Sequence, residues 1–534
     1  MPAPERSEGR DRSTTFDRVA WTLAACAVAV QAGLLWRFAV DWPLHDDFTQ
    51  IVAIPGYLAQ LPTIGEKLAL ITHLALEHRA ATLRVVGWIA SLAPGGMNFL
   101  ALIALGNALA WGAGLLAVFA TPRGYRAAAA LLAALLLTSI THYAAQYHAT
   151  GALQHFGVAF YALASLFALS KRRRIVAAAF ALAAVFTSGS GLLVLPCAAV
   201  LSWLAARPRE GFAWAVATGA VMATYFIGYE GPANASALAS LATEPLHAVG
   251  LALAALGCIG ASLWPSIVIG AVLVGAWIAL LASGRWRRVP PFVIAASLFL
   301  ALALCAIAAG RAPFGIDAVL LSRYRIGSAL LVLMTLAALA HVVEFRWFRW
   351  MQCSAIASAA LLYVVALGSM MTSLVDLHVM QRVLRDHFAA DDSGHYDGYL
   401  QQWGDFTLRR ARELGVYAGE RHAAPPLAME AASANEGSGP AVLNLKVYPG
   451  SRVFSVYGLV AGGHRRAWVW LRDGERTLRG AAFTLRYPGH SFGMQTALHA
   501  TLTTRDVPRG RYQVGISSDE DAGIAWTRSE VEVR

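Results

Sequence analysis

Apolar residues run for about 20 positions at a time from residue 19 to residue 374, and then the pattern stops. Runs of that length match a hydrocarbon core of about 30 Å crossed at about 1.5 Å per residue. The pattern predicts spans at 19–40, 98–120, 125–141, 151–170, 174–188, 190–205, 211–229, 247–283, 290–309, 324–343 and 353–374, a bundle of about eleven helices. The 247–283 run is too long for one crossing, and Trp264-Pro265 is expected to break it into an interfacial piece and one span. The stretch 47–97 is too polar to cross. Between 66 and 93 its apolar residues recur three and four apart, broken around by Pro55-Gly56, Pro62 and Pro94-Gly95-Gly96. That is the signature of amphipathic helices lying in the interface.

After residue 374 the period changes. Residues 375–420 read as a polar helical segment, and an Ala-, Pro-, Ser- and Gly-rich linker follows to Pro440. Residues 441–534 alternate apolar and polar at period two, as in Val442-Leu443-Asn444-Leu445-Lys446-Val447 and Arg466-Ala467-Trp468-Val469-Trp470-Leu471. Turn signals at Pro449-Gly450, Asp473-Gly474, Pro488-Gly489 and Pro508-Arg509-Gly510 separate about seven strands, which predicts a β-sandwich.

Composition agrees. Of 534 residues, 57% are hydrophobic and 14% charged, against roughly 25% charged in soluble domains. The net charge of +11 does not point to nucleic acid, because the basic clusters sit in turns between apolar runs. These are Arg123 to Arg126, Lys171-Arg172-Arg173-Arg174, Arg207-Pro208-Arg209, Arg285-Trp286-Arg287-Arg288 and Arg346-Trp347-Phe348-Arg349. All five fall on one side of an eleven-span chain whose basic tail, 1–17, is cytoplasmic. The same count puts the 41–97 loop and the C-terminal domain outside. The first run is expected to be an uncleaved helix. All five cysteines lie in apolar runs, so no structural disulfide and no cysteine metal site is expected.

Three groups could carry chemistry. His45-Asp46-Asp47 follows the first span; either aspartate could take a proton from an attacking hydroxyl, or cap a helix starting near Phe48. Glu77-His78-Arg79 could orient that pair or bind a substrate hydroxyl, or be a solvated interfacial face. His45, Asp46, Asp47, Glu77 and His78 could also make an oxygen/nitrogen site for a divalent metal, though no short ligand motif supports one. Arg311, Arg323 and Arg325, with Tyr324, flank an outer loop against the charge trend. Arginine forks suit phosphate, and headgroup contact is the plainer use. His142, Gln146, His148, Gln154 and His155 line another outer loop. Trp36, Trp42, Tyr225, Tyr229 and Trp264 read as interface anchors.

The order of one helix, an acidic outer loop, interfacial helices and many spans resembles the GT-C superfamily of polyprenyl-phosphate-sugar-dependent glycosyltransferases. Protein mannosyltransferases and aminoarabinose transferases belong to it. Asp46-Asp47-Phe48 stands where that family has its acidic first-loop motif. Gly95-Gly96-Met97-Asn98-Phe99 looks like its Gly-Asn turn, and Thr187-Ser188-Gly189-Ser190-Gly191-Leu192 with Pro196 like its Lys-Gly…Pro break. The lysine of that break is missing here, and His78-Arg79 replaces the Pro-Pro that often follows the first-loop glutamate.

The resemblance, which covers about 18–374, implies an inverting transferase in a bacterial inner membrane with a periplasmic C-terminal domain. Asp46 or Asp47 would be the base. His45, Glu77, His78, Arg79, His148, Arg311, Arg323, Tyr324 and Arg325 would bind substrate. The donor would be a polyprenyl-phosphate sugar, and the acceptor an envelope glycan, lipid or protein. Trp468, Trp470 and Tyr487 would stack on sugar or fill the β core. A non-catalytic envelope scaffold and a lipid-linked-sugar transporter or flippase are the alternatives; few charges inside the spans argue against transport.

Overall fold

The computed structural model describes residues 7–74, 78–229, 244–392, 400–419, 423–432, 439–449, 452–474, 476–488, 494–505, 507–518 and 523–533. Glu77, Gly450 and Gly489 lie outside them, as does most of the 229–245 loop. Among the described residues, seven helices are long and apolar enough to cross a membrane, or up to eight if a pair bent by 41° is one span. The protein is therefore a multi-pass membrane protein with fewer spans than the apolar runs suggest. The runs at 174–188 and 190–205 become helices of 12 and 11 residues, Arg174–Val185 and Val194–Leu204. The second continues a 3₁₀ stretch, Gly189–Leu193, and neither reaches the length of the seven crossing helices.

The long run at 247–283 does break. Its helices are Pro245–Leu256 and Leu263–Ala282, so the break falls ahead of Trp264-Pro265. Pro265 sits in the first turn of the second helix, where a missing N–H costs nothing. The pair packs tightly: a Cβ on Gly257 would overlap the Ser266 carbonyl, and one on Gly270 the Leu253 carbonyl. Two short π-helical turns, Phe48–Val52 and Ala152–Phe156, interrupt the α-helical pattern.

The chain forms two compact units. The first comprises Met1–Arg37, Leu61–Val86 and Leu102–Val364. Its core is built from Ala, Leu, Val and Phe of the apolar helices. The second comprises Phe38–Gln60, Gly87–Ala101 and Val365–Arg534, so the Asp46-Asp47 loop belongs with the C-terminal segment. The boundary falls inside the 47-residue helix Phe345–Asp391. At about 70 Å, that helix exceeds any bilayer core.

The second unit carries the strands β1 (Glu430–Ala431), β2 (Val442–Pro449), β3 (Val453–Ala461), β4 (Ala467–Asp473), β5 (Arg476–Pro488), β6 (Met494–Thr503), β7 (Gly510–Ser517) and β8 (Ala525–Val533). The expected sandwich is one antiparallel sheet of order β2-β3-β6-β5-β4-β7-β8, nearly closed. β5 makes the bend. Its first half pairs β4 and its second half pairs β6, with Ala482↔Ala467 and Phe483↔His499 at the changeover. Val456, Val460, Val469, Leu471, Leu498, Val514 and Ile516 fill the interior.

The β3 and β6 residues between these interior positions meet the Phe345–Asp391 helix. Ser455 Oγ lies 2.9 Å from His387 Nδ1 and 2.9 Å from Thr501 Oγ1.

Candidate functional site

In the second unit the first helix stops at Phe38, and the chain enters a buried turn. Asp41 accepts the Phe99 N–H at 2.7 Å, at the start of the Phe99–Ala120 helix, and its carbonyl accepts the Tyr417 hydroxyl at 2.9 Å. Trp42 is fully buried against Phe388 and is no interface anchor, whereas Trp36 is 91% exposed. Nothing in the local residue pattern marks these long-range holds.

The two aspartates then part. Asp47 is buried, and its carboxylate accepts the Leu44 N–H at 3.0 Å. It is the residue before the Phe48–Val52 turn but makes no forward cap; it folds the loop back on itself. His45, which precedes both aspartates, takes a left-handed φ of 41° and is exposed. Asp46 is half-buried, and its backbone carbonyl accepts the Thr49 hydroxyl at 3.3 Å. Asp46 therefore presents the more accessible carboxylate.

In the first unit the arginines also divide. Arg79 donates to the carbonyls of Tyr225, Ile227 and Thr72, so it closes the exposed C-terminal ends of the helices Pro208–Tyr225 and Ile64–Thr72. Arg84, which the apolar spacing puts on the polar face of an interfacial helix, is buried and donates to Leu70, Ile71 and His73 in the same way; burial lowers its pKa to about 10. Arg325 is buried and donates to Leu320 O at 2.9 and 3.1 Å and to Thr141 O at 2.8 Å. These guanidiniums hold backbone.

Arg311 and Arg323 differ. Arg323 lies over the Tyr324 ring at 5.2 Å, and its buried Nε has no hydrogen-bond partner. Arg311 lies over Phe314 at 5.8 Å. Both act electrostatically on His155, as do His78 and His148. Every charged or titratable group so acting on His155 among the described residues is basic. His155 sits on the Ala152–Phe156 π-turn and meets the buried Tyr324 ring edge-on at 5.6 Å. The Gly189 N–H donates to His78 Nδ1 at 3.3 Å, so Nε2 carries the ring proton and is itself a donor. Arg323 and His155 thus share the Tyr324 ring, and Arg311, His78 and His148 lie within electrostatic reach of His155. Sequence reasoning named four of them as substrate ligands. It saw His155 only as part of a polar loop, because the π-turn leaves no mark in the residue pattern.

Among the other expectations, Tyr225 is buried and hydrogen-bonded to the Arg79 N–H at 3.1 Å. Trp264 is 73% exposed. Trp470 is buried and donates to Ser517, Tyr487 is buried and donates to Gln495, and Trp468 lies under Arg479 at 4.7 Å. None of the three is an open stacking platform.

Compared with family models, with curated proteins and with solved structures, the chain shows no match. The likeness to GT-C enzymes rests on the residue pattern alone.

Proposed function

We propose that the protein is a membrane glycosyltransferase that moves a sugar from a polyprenyl-phosphate donor to an envelope glycan, lipid or protein. The observation that carries this reading is Arg323 and His155 on the Tyr324 ring, with Arg311, His78 and His148 within electrostatic reach. Basic groups gathered in a protein of the membrane suit an anionic ligand, and a lipid-linked phosphate meets both conditions. In the reaction, the acceptor oxygen attacks the anomeric carbon and its proton passes to a carboxylate base, the part that the residue pattern offers Asp46. The bond from that carbon to the phosphate oxygen breaks with its electron pair on the phosphate, and the basic cluster neutralises the charge that develops there. A single displacement of this kind inverts the anomeric centre. Membrane identity is read with it: the inner membrane of a bacterium, with the sugar transferred on the outer face.

The test is release of free polyprenyl phosphate from a panel of polyprenyl-phosphate hexoses and pentoses by membranes carrying the full chain. D46N is expected to lower release by about 10²–10⁴-fold, the usual contribution of a general base. D47N keeps an oxygen to accept the Leu44 N–H and is expected to retain most activity. Full release by D46N would sink the assignment of the base. Labelled lipid crossing liposome membranes with no sugar transfer would favour a flippase instead.

A further inference from the structure

Arg123, Arg346 and Arg349 are exposed cations in the first unit that the proposed chemistry does not use. Arg346 and Arg349 lie one helical turn apart in the Phe345–Asp391 helix, and Arg123 is two residues from Tyr125, which packs on that helix. The Tyr125 ring packs against Phe345 at 5.7 Å and Phe348 at 4.6 Å, and the Tyr125 carbonyl accepts the Gln352 amide at 3.2 Å. Arg349 lies over Phe345 at 5.0 Å and over Phe16, near the start of the first span, at 5.8 Å. Arg346 lies over Trp347 at 5.1 Å. Arg126 is engaged by the carbonyls of Thr121 and Phe119.

Two acids stand close in sequence, Asp17 and Glu344, and among the described residues neither pairs with these arginines. Beside the cations the surface is apolar: Phe345 is 58% exposed, Trp347 56% and Trp350 69%.

A guanidinium lying on a ring keeps its N–H fork free to face outward, and that fork matches a phosphate bidentately. Exposed tryptophans beside it suit the level of the headgroups and upper acyl chains. An ordinary anion would satisfy the charge and leave the rings in water. We propose that this junction binds an anionic phospholipid, its phosphate on Arg123, Arg346 and Arg349 and its chains along Trp347 and Trp350.

Native mass spectrometry of the full chain tests this, with phosphatidylglycerol or phosphatidylcholine of the same acyl chains, and with inorganic phosphate as competitor. Phosphatidylglycerol is expected to stay bound where phosphatidylcholine is lost. R346Q/R349Q should weaken it about thirty-fold, and R349Q alone about five-fold, which reads the site even if the double variant does not fold. R285Q/R288Q removes equal charge from another exposed turn and should leave binding unchanged. Equal retention of the two lipids, displacement by inorganic phosphate, or equal loss in R285Q/R288Q would overturn the site.

Discussion

Asp47 turns its carboxylate back to the Leu44 amide, while its neighbour Asp46 keeps a more accessible one. Arg325 and Arg323 divide in the same manner, one holding carbonyls and the other carrying a buried Nε without a partner. Removing Arg325 strips donors from buried carbonyls, whose desolvation costs about 1–3 kcal/mol each. R325M is therefore expected to lower the thermal midpoint in detergent by several degrees. R323Q is expected to leave the midpoint unchanged and to weaken donor use, seen as a higher KM for the polyprenyl-phosphate sugar. The reverse pattern would exchange the two roles.

At the level of elements, the chain places irregular turns where chemistry is proposed. The acidic loop runs into one π-turn and His155 sits on another. Such turns cost backbone regularity and are enriched at functional sites. The tight pairing of Pro245–Leu256 with Leu263–Ala282 rests on glycine, since any Cβ at Gly270 would meet the Leu253 backbone. G270V should separate the two helices and cost at least about 1–3 kcal/mol, as overpacking does. The check is the yield and thermal midpoint of the purified variant, with G275V as a control at a position where a Cβ has open space.

For the whole molecule, the notable division is that the acidic loop shares a compact unit with the C-terminal sheet. Within that unit His499 is buried, stacked on Phe483 at 5.2 Å, and faces His378, Arg382 and Arg385. Burial first, and then these cations, push its pKa down to about 3. The folded chain thus resists a proton that the unfolded chain accepts near pH 6.5. Stability is full above that value and falls by about 1.4 kcal/mol for each pH unit below it, until about pH 3. Denaturant unfolding of the full chain at pH 7 and pH 5 should show the loss, and H499Q should flatten it. An equal slope in H499Q would assign the acid sensitivity elsewhere.

Periodicity and length settle much by themselves. A run of about 20 apolar residues has one favourable environment, and strict alternation has one favourable backbone, so the membrane class and the strand-rich C-terminus were legible in the residue pattern. Local patterns are blind to what a helix packs against. Hence 174–188 and 190–205 looked like full-length spans, although the folded chain makes shorter apolar helices there. They are equally blind to distant partners. Which aspartate is buried, which arginine closes a helix end, and where β5 bends between its two partners depend on groups far away in sequence. Phe99 and Tyr417 reach Asp41, and Thr141 reaches Arg325, from 58, 376 and 184 residues away. Only the tertiary structure decides those, because a buried polar group takes whichever partner the fold delivers.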